Sequence, residues 1–307
     1  GTPTPTSPVE IQSVGDKTNN LYNNDDVIFT KLKLITLDTP LEAGTYTISL
    51  EFDNDNEAYN EGLLFYLGES GSAIGNLSFS KGERSSNTVT FDQKIYKLSF
   101  YATSKGSTNT GVNATYKNIK IEKGSTATSY EPYGYKVPIT VSNGTETKTT
   151  NIYLKEPLRK IGEYADYLDL TNKKVVRYVK EDVFTGTETI NLDGNNRFQY
   201  RFEKTSGDGL CNYYKNTNDK SNGSVYLIYT YAAYFSDTRY NTVEEFKNML
   251  ATQYNLGNPV KIVWRRHDKQ IFSEESIDVP EIPSLTGNVT YTIGTSIKPS
   301  SINYTTR

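Results

Sequence analysis

The chain has 307 residues, and its 33 basic and 36 acidic side chains leave a formal charge of −3. That length is too great for one small core and predicts two domains. Because the charges are interspersed, no basic stripe exists to neutralise a phosphate backbone, which excludes nucleic acid as a partner. No apolar run is long enough to span a membrane either.

Residues 1–15 read as an extended arm. Pro3, Pro5 and Pro8 bias their neighbours toward extended backbone, and Val9, Ile11 and Val14 could add one edge strand. The Pro- and Thr-rich start is not a signal peptide, and Gly1 in place of Met suggests an excised or processed chain. Short alternating runs follow from about 16 to 135, at the spacing of a β-sandwich or jelly roll. The expected strands are 27–37, 45–52, 63–67, 76–79, 88–91, 95–102 and 115–122. Period-two alternation puts Tyr46, Ile48, Leu50 and Phe52 on the core face of the second. It does the same for Tyr96, Leu98 and Phe100 in the sixth, leaving Ile95, Lys97, Ser99 and Tyr101 outward. In the last strand Ile119 and Ile121 share one face and Lys120 and Glu122 the other, as in a half-buried strand; Gly124 ends it, and Glu131-Pro132 leads out of the domain.

The second half is less uniform. Val137, Ile139 and Val141 alternate, Ser142 to Thr145 makes a turn, and 148–154 returns as a hairpin partner. Segments 164–170 and 174–179 flank a tight turn at Thr171-Asn172-Lys173, and strands are expected at 197–203, 224–231 and 260–264. Thr242-Val-Glu-Glu is a capping box, and Val243, Phe246, Met249 and Leu250 then form a helical apolar stripe. From Ile277 onward the prolines predict an extended tail with short alternating segments around Tyr291 and Tyr304. The single cysteine, Cys211, excludes an internal disulfide framework or a thiolate zinc cluster and reads as a buried small hydrophobe.

Several long phrases carry a resemblance: IKIEKGSTATSYEPYGY at 119–135, NIYLKEPLRKIGEYADYLDLTNKKVVRYV at 151–179, SDTRYNTVEEFKNML at 236–250 with NPVKIVWRR after it, and IGTSIKPSSINYTTR at the end. With the GTPTPTSPVEIQSVG start, they resemble the minor structural and tail proteins of bacteriophages and prophages of Gram-positive bacteria. The resemblance covers most of the chain. It implies a virion tail or baseplate location, other tail subunits as partners, a homo-oligomer, and a carbohydrate-binding-like β-sandwich in the first domain. The expected fold is therefore mainly β: an N-terminal jelly-roll β-sandwich at 16–135, then a second mostly-β domain at 136–307 with one α-helix near 242–254.

No reaction is legible. Glu163, Asp166 and Asp169 are the nearest thing to paired carboxylates and read as a solvated loop. His267, the only histidine, has no nucleophile or metal spacing beside it and reads as a surface residue. Asp25, Asp26, Asp53, Asp55 and Glu57 offer hard oxygens for a structural calcium, but without EF-hand spacing they read as polar loops, so no cofactor is expected.

Tyrosine is the compositional outlier, with 25 Tyr against 12 Phe and 1 Trp. A tyrosine ring gives a flat apolar platform with a hydroxyl, suited to stacking on a sugar while amides satisfy its hydroxyls; edge packing on a sheet is the plainer use. The expected glycan-binding residues are Tyr59, Tyr66 and Tyr101 with Asn54, Asn56 and Asn76. The alternative is a loop site in the second domain, Tyr213, Tyr214, Tyr231 and Tyr234, around a Gly- and Asn-rich loop at 206–224. Trp264 lies outside the first domain, which weakens the sugar reading there. The expected function is a non-enzymatic tail or baseplate protein holding host cell-wall glycan. The alternatives are a structural adaptor between tail subunits and a fragment of a cell-wall glycan hydrolase.

Overall fold

A computed structural model of the chain describes residues 13–105, 111–202, 205–216, 221–228, 232–266 and 271–293. The protein is mainly β, with one helix among the described residues. It divides into two compact units, Asp16–Lys136 and Gly1–Gly15 with Val137–Arg307.

The first unit is a sandwich of two four-stranded antiparallel sheets. One runs Val27–Thr30, Asn113–Lys123, Gly44–Asn54, Ser85–Phe91; the other runs Leu32–Leu41, Ile95–Tyr101, Glu61–Leu67, Ala73–Ser80. Their inner faces meet through Ile48, Leu50 and Phe52 on one side and Leu64, Leu98 and Phe100 on the other, all essentially solvent-free. Burying each such side chain contributes roughly 1.5–3 kcal/mol, so this alternation largely determines the fold.

Three departures from strict alternation shape the unit. The single strand expected at 27–37 is two strands in different sheets. Lys31, at φ 73°, turns the chain between them, its N–H bonding Val112 O and its carbonyl accepting from Ala102. Ile95, expected outward, is fully buried. Pairing between Ile95–Tyr101 and Leu32–Leu41 slips between Thr36 and Leu41, so Ile95 meets buried Leu41.

The third departure is a bulge in Asn113–Lys123, whose pairing with Gly44–Asn54 shifts between Lys117 and Lys120. Ala114 and Tyr116 face the core before it, Ile119 and Ile121 after it. Without the extra residue, Lys120 and Glu122 would continue the Tyr116 face into the core. Asn118 makes the bulge at φ 51°, its N–H bonding Asp26 Oδ1 at 2.9 Å and its Nδ2 bonding Glu51 Oε1 at 2.7 Å. Asn118→Val is expected to cost about 1–2 kcal/mol in chemical unfolding, because a β-branched residue resists that backbone, whereas Asn118→Gly should lose less. Equal losses would mean that the side-chain bonds, not the backbone, hold the bulge.

Lys120 and Glu122 do point away from the core, but they are buried too, at 1% and 4% exposure. The chain beyond Gly124 folds back over them. Glu122 accepts from Thr128 N and Oγ1 at 2.8 and 2.7 Å. Lys120 Nζ donates to Thr128 Oγ1 and Ser129 O and lies 3.4 Å from Glu122 and 3.8 Å from Glu131. Asn20 ties the far end: its Nδ2 reaches Ile119 O and Glu131 O, and its Oδ1 accepts from Ile121 N. The small-residue run is therefore a strap across the strand it follows, not a plain exit.

In the second unit Ser13–Val14 pairs with Leu158–Ile161, the described end of the N-terminal arm. A five-stranded sheet, Ile190–Leu192, Phe198–Arg201, Ala232–Ser236, Ser224–Ile228, Lys215–Asn216, packs against the helix Val243–Asn255. Phe198 and Phe246 stack at 4.2 Å, and the Thr242–Glu245 capping box is formed. Phe246, Met249 and Leu250 are buried, with Val243 half-buried beside them. Lys261–Arg266 pairs with Val179–Val183 and with Thr205–Cys211, a strand where a loop was expected. Trp264 is wholly buried there, its Nε1 bonding Asp182 Oδ2 at 2.7 Å.

Candidate functional site

Cross-strand register separates the expected sugar-binding residues. Tyr66 pairs with Leu98, so it takes the inner face of its sheet. Its ring packs 4.9 Å from Phe91 and lies over Gly75, where a Cβ would sit 2.1 Å from the Tyr66 hydroxyl. Tyr101 pairs with Leu63 and faces outward, 5.0 Å from the Phe65 ring. Tyr66 and Tyr101 are thus on opposite faces and cannot form one platform.

The expected asparagines divide in the same way. Asn54 is buried, its Nδ2 donating to Tyr59 O and Ala102 O and its Oδ1 accepting from Asn56 N. Asn56 Oδ1 accepts from Ala58 N. Both shape the 54–59 loop rather than reaching for a ligand. Tyr59 packs half-buried against the core with the Lys105 ammonium 5.4 Å above its ring. Asn76 is exposed and pairs with Phe65, on the same outward face as Tyr101.

That outward face extends across the sheet. By register it presents Leu32, Leu34 and Thr36, then Tyr101, Ser99 and Lys97, then Leu63, Phe65 and Leu67, then Ser78 and Asn76. Leu32 and Leu34 are 38% and 47% exposed. The other sheet differs: its outward face carries Thr45, Thr47, Thr88 and Thr90, paired hydroxyl to hydroxyl, and the strap over Lys120 and Glu122. The sandwich therefore has one polar, partly self-covered outer face and one more apolar outer face with two half-buried aromatic rings among leucines. Phe65 and the leucines were missed because no single stretch shows them together. Glu61–Leu67 is apolar throughout from Leu63 on, so its own pattern does not tell which face Phe65 takes.

The expected loop site of the second unit does not assemble. Tyr213 and Tyr214 are core residues, and Tyr214 donates to buried Asp237 Oδ2 at 2.7 Å. Cys211 Sγ accepts from their two amides; burial pushes its thiol up to about 11, so it is unreactive at neutral pH. Tyr231 lies outside the described residues, as does His267. Tyr234 faces outward beside Tyr226, but Arg197 stacks on its ring at 4.6 Å and Gln199 Nε2 bonds its hydroxyl.

The acidic candidates are also occupied. Asp166, expected in a solvated loop, is buried: Oδ1 accepts from Tyr178 N and Val179 N at 2.8 and 2.9 Å, and Oδ2 from Arg159 N at 3.0 Å with Arg177 Nη1 at 3.3 Å. Burial pushes its carboxyl above the ordinary value, against the pull of the Val179 amide and Arg177. Glu163 is exposed, and Asp169 caps the turn through Asn172. Among the calcium candidates, Asp55 accepts from Asn113 N and Nδ2, Asp26 from Asn118 N, and Asp53 and Glu57 face Lys81. Among the described residues no three of His, Cys, Asp and Glu converge as a metal site would require.

No family model matches the chain, and no curated protein matches it. Among solved structures it is similar to a chain of the tripod (BppUct-A-L) from the baseplate of bacteriophage Tuc2009, at 14% identity, covering 74% of this chain and 91% of that one with a TM-score of 0.25. A likeness at that score does not establish a shared fold.

Proposed function

We propose that the chain is a non-enzymatic structural component of a phage tail or baseplate that attaches to host cell-surface glycan through the outward face of the Leu32–Leu41, Ile95–Tyr101, Glu61–Leu67, Ala73–Ser80 sheet. The observation that carries the reading is the Phe65–Tyr101 ring pair, half-buried on that face and flanked by Lys97, Ser78 and Asn76. Aromatic rings supply the stacking surface for a sugar ring, and the flanking polar groups meet its hydroxyls. The virion location rests on the resemblance of the long phrases to phage structural proteins. Repetition of a weak site in a symmetric oligomer would raise avidity well above the affinity of one copy.

A second reading is favoured by the exposed Leu32 and Leu34 beside the rings. An apolar sheet face suits docking against another tail subunit, and then the protein is an adaptor without a glycan.

Binding of the full chain to purified Gram-positive cell walls separates the two. Phe65→Ala with Tyr101→Ala is expected to weaken retention at least tenfold while the melting transition stays cooperative. Retention unchanged in the double variant removes this face as the site. No wall binding by the parent protein, with tail assembly lost in the variant, selects the adaptor.

A further inference from the structure

The sandwich also holds a small cleft away from that face, walled entirely by residues of Asp16–Lys136 and with a volume of about 170 Å³. It opens where the Leu32–Leu41 strand loses register with its neighbour between Thr36 and Leu41, leaving Leu37 to Pro40 free of that pairing. Tyr46, buried against Phe91, forms one wall and half-buried Tyr133 another. The polar rim is Asn23, Asn24, Asp38 and Lys17. Asn23 Nδ2 already donates to Asp38 Oδ2 at 2.9 Å, fixing both side chains and leaving Asp38 Oδ1 and the Asn24 amide for a ligand.

That volume is well below the roughly 300 Å³ at which pockets for drug-sized ligands begin. That is room for one ring, not a chain. The rim carries one basic side chain, Lys17, and one acidic one, Asp38, while Glu42 at the edge is bridged by Lys94 at 2.8 Å. The rim therefore has no net positive charge to favour a phosphate or carboxylate, and Asp38 would repel either.

We propose that this cleft binds a single uncharged sugar ring, such as a terminal residue or side branch of the glycan, between Tyr46 and Tyr133, with its hydroxyls on Asp38 and Asn24. The assignment rests on the glycan-binding reading above but not on the Phe65–Tyr101 face. Asp38 acts as acceptor and Asn24 as donor and acceptor, the pattern that a ring bearing vicinal hydroxyls satisfies.

The test is a titration of the labelled full chain with glucose, galactose and N-acetylglucosamine, followed by NMR, with glucose 6-phosphate as the anionic control. At least one neutral sugar is expected to shift resonances of Tyr46, Tyr133 and Asn24 at millimolar concentration, and the phosphate ester to bind at least tenfold more weakly. Tyr133→Ala and Asn24→Ala should each weaken binding at least fivefold. No shift with any of the three neutral sugars, or an equal response to the phosphate ester, overturns the proposal. If walls are bound through Phe65 and Tyr101 yet no monosaccharide shifts the cleft, only the cleft fails. If a monosaccharide binds the cleft and walls are not retained, the attachment reading fails and the cleft stands.

Discussion

Lys120→Met is expected to lower the unfolding free energy of the sandwich unit by about 3 kcal/mol, the low end of what breaking one side of a buried ion pair costs. Methionine matches the lysine stem in length and packs as well, so the loss falls on the ammonium. Its partners are Glu122, Glu131, Thr128 and Ser129. Without it, Glu122 and Glu131 lose the cation they share, and Lys136, 3.2 Å from Glu131, remains for that carboxylate. Lys120→Met with Glu122→Gln should recover part of the loss, and a double-mutant cycle in urea measures the coupling. Additive losses would show that the pair does not interact. A destabilisation below about 0.5 kcal/mol would mean that the strap is held by the Thr128–Glu122 bonds and Asn20 without the ammonium.

The same cluster predicts an acid response. Burial pushes the Glu122 carboxyl up, but the bonds from Thr128 and the charge of Lys120 outweigh it, so it ionises below its ordinary value. Glu131 behaves alike: burial is outweighed by the Asn19 N–H and by Lys136. A carboxyl whose value is lower folded than unfolded adds stability above its unfolded pKa, about 4.3, and loses it as pH falls through the folded value. The melting temperature of the unit should therefore hold from neutral pH to about 5 and fall below about 4. Glu122→Gln should start lower and fall less, and parallel curves for the two proteins would rule Glu122 out as a source of the acid response.

Alternation made the sandwich legible wherever one face of a strand met the core and the other carried polar side chains. Tyr46 to Phe52 is such a stretch, with Thr47 and Ser49 on its outer face, and so is most of Ile95–Tyr101. It failed where the chain supplies its own cover. Nothing in Ser125 to Ser129 reads as a lid, since small polar residues look the same in a strap as in a linker, so Lys120 and Glu122 read as solvated. Parity also fails across a bulge: Asn118 shifts the core face by one residue, and its left-handed backbone leaves no mark in the hydrophobic pattern. The candidate site was half legible. Tyr101 and Asn76 follow from their own strands, but Tyr66 belongs to the core because it pairs with Leu98, a register that no local stretch encodes. Tyr213 and Tyr214 were drawn to a loop by the Gly and Asn around them, whereas Thr205–Cys211 is a strand and both rings turn inward behind it. The small cleft joins four separate stretches and lies beyond any local pattern.

Asp166→Ala should cost the second unit about 3–5 kcal/mol and leave it partly unfolded at 37 °C. The carboxylate gathers three backbone N–H groups, from Arg159, Tyr178 and Val179, together with the Arg177 guanidinium. Asp166 sits where Tyr164–Ala165 breaks from Tyr167–Asp169, Tyr178 and Val179 where Lys174–Arg177 gives way to Val179–Val183, and Arg159 in the neighbouring Leu158–Ile161 strand, so one side chain satisfies backbone at the junction of these strands. Alanine strips all four donors at once and leaves Arg177 buried, held by Pro157 O and Glu156 O. Asp166→Asn keeps one acceptor but turns an amide NH₂ toward donors, so its loss should be smaller and still above about 1 kcal/mol. Hydrogen exchange at the Tyr178 and Val179 amides separates this role from a surface one: both should be protected in the parent and exchange faster in Asp166→Asn under conditions where the fold persists. Unchanged protection there, or a ΔΔG near zero for the alanine variant, would return Asp166 to the solvated loop that its sequence suggests. The closed position also bears on chemistry. A carboxylate with no solvent exposure and both oxygens bonded cannot reach a glycosidic oxygen, so a hydrolase built on Glu163 and Asp166 would first have to unmake the strand junction that Asp166 holds.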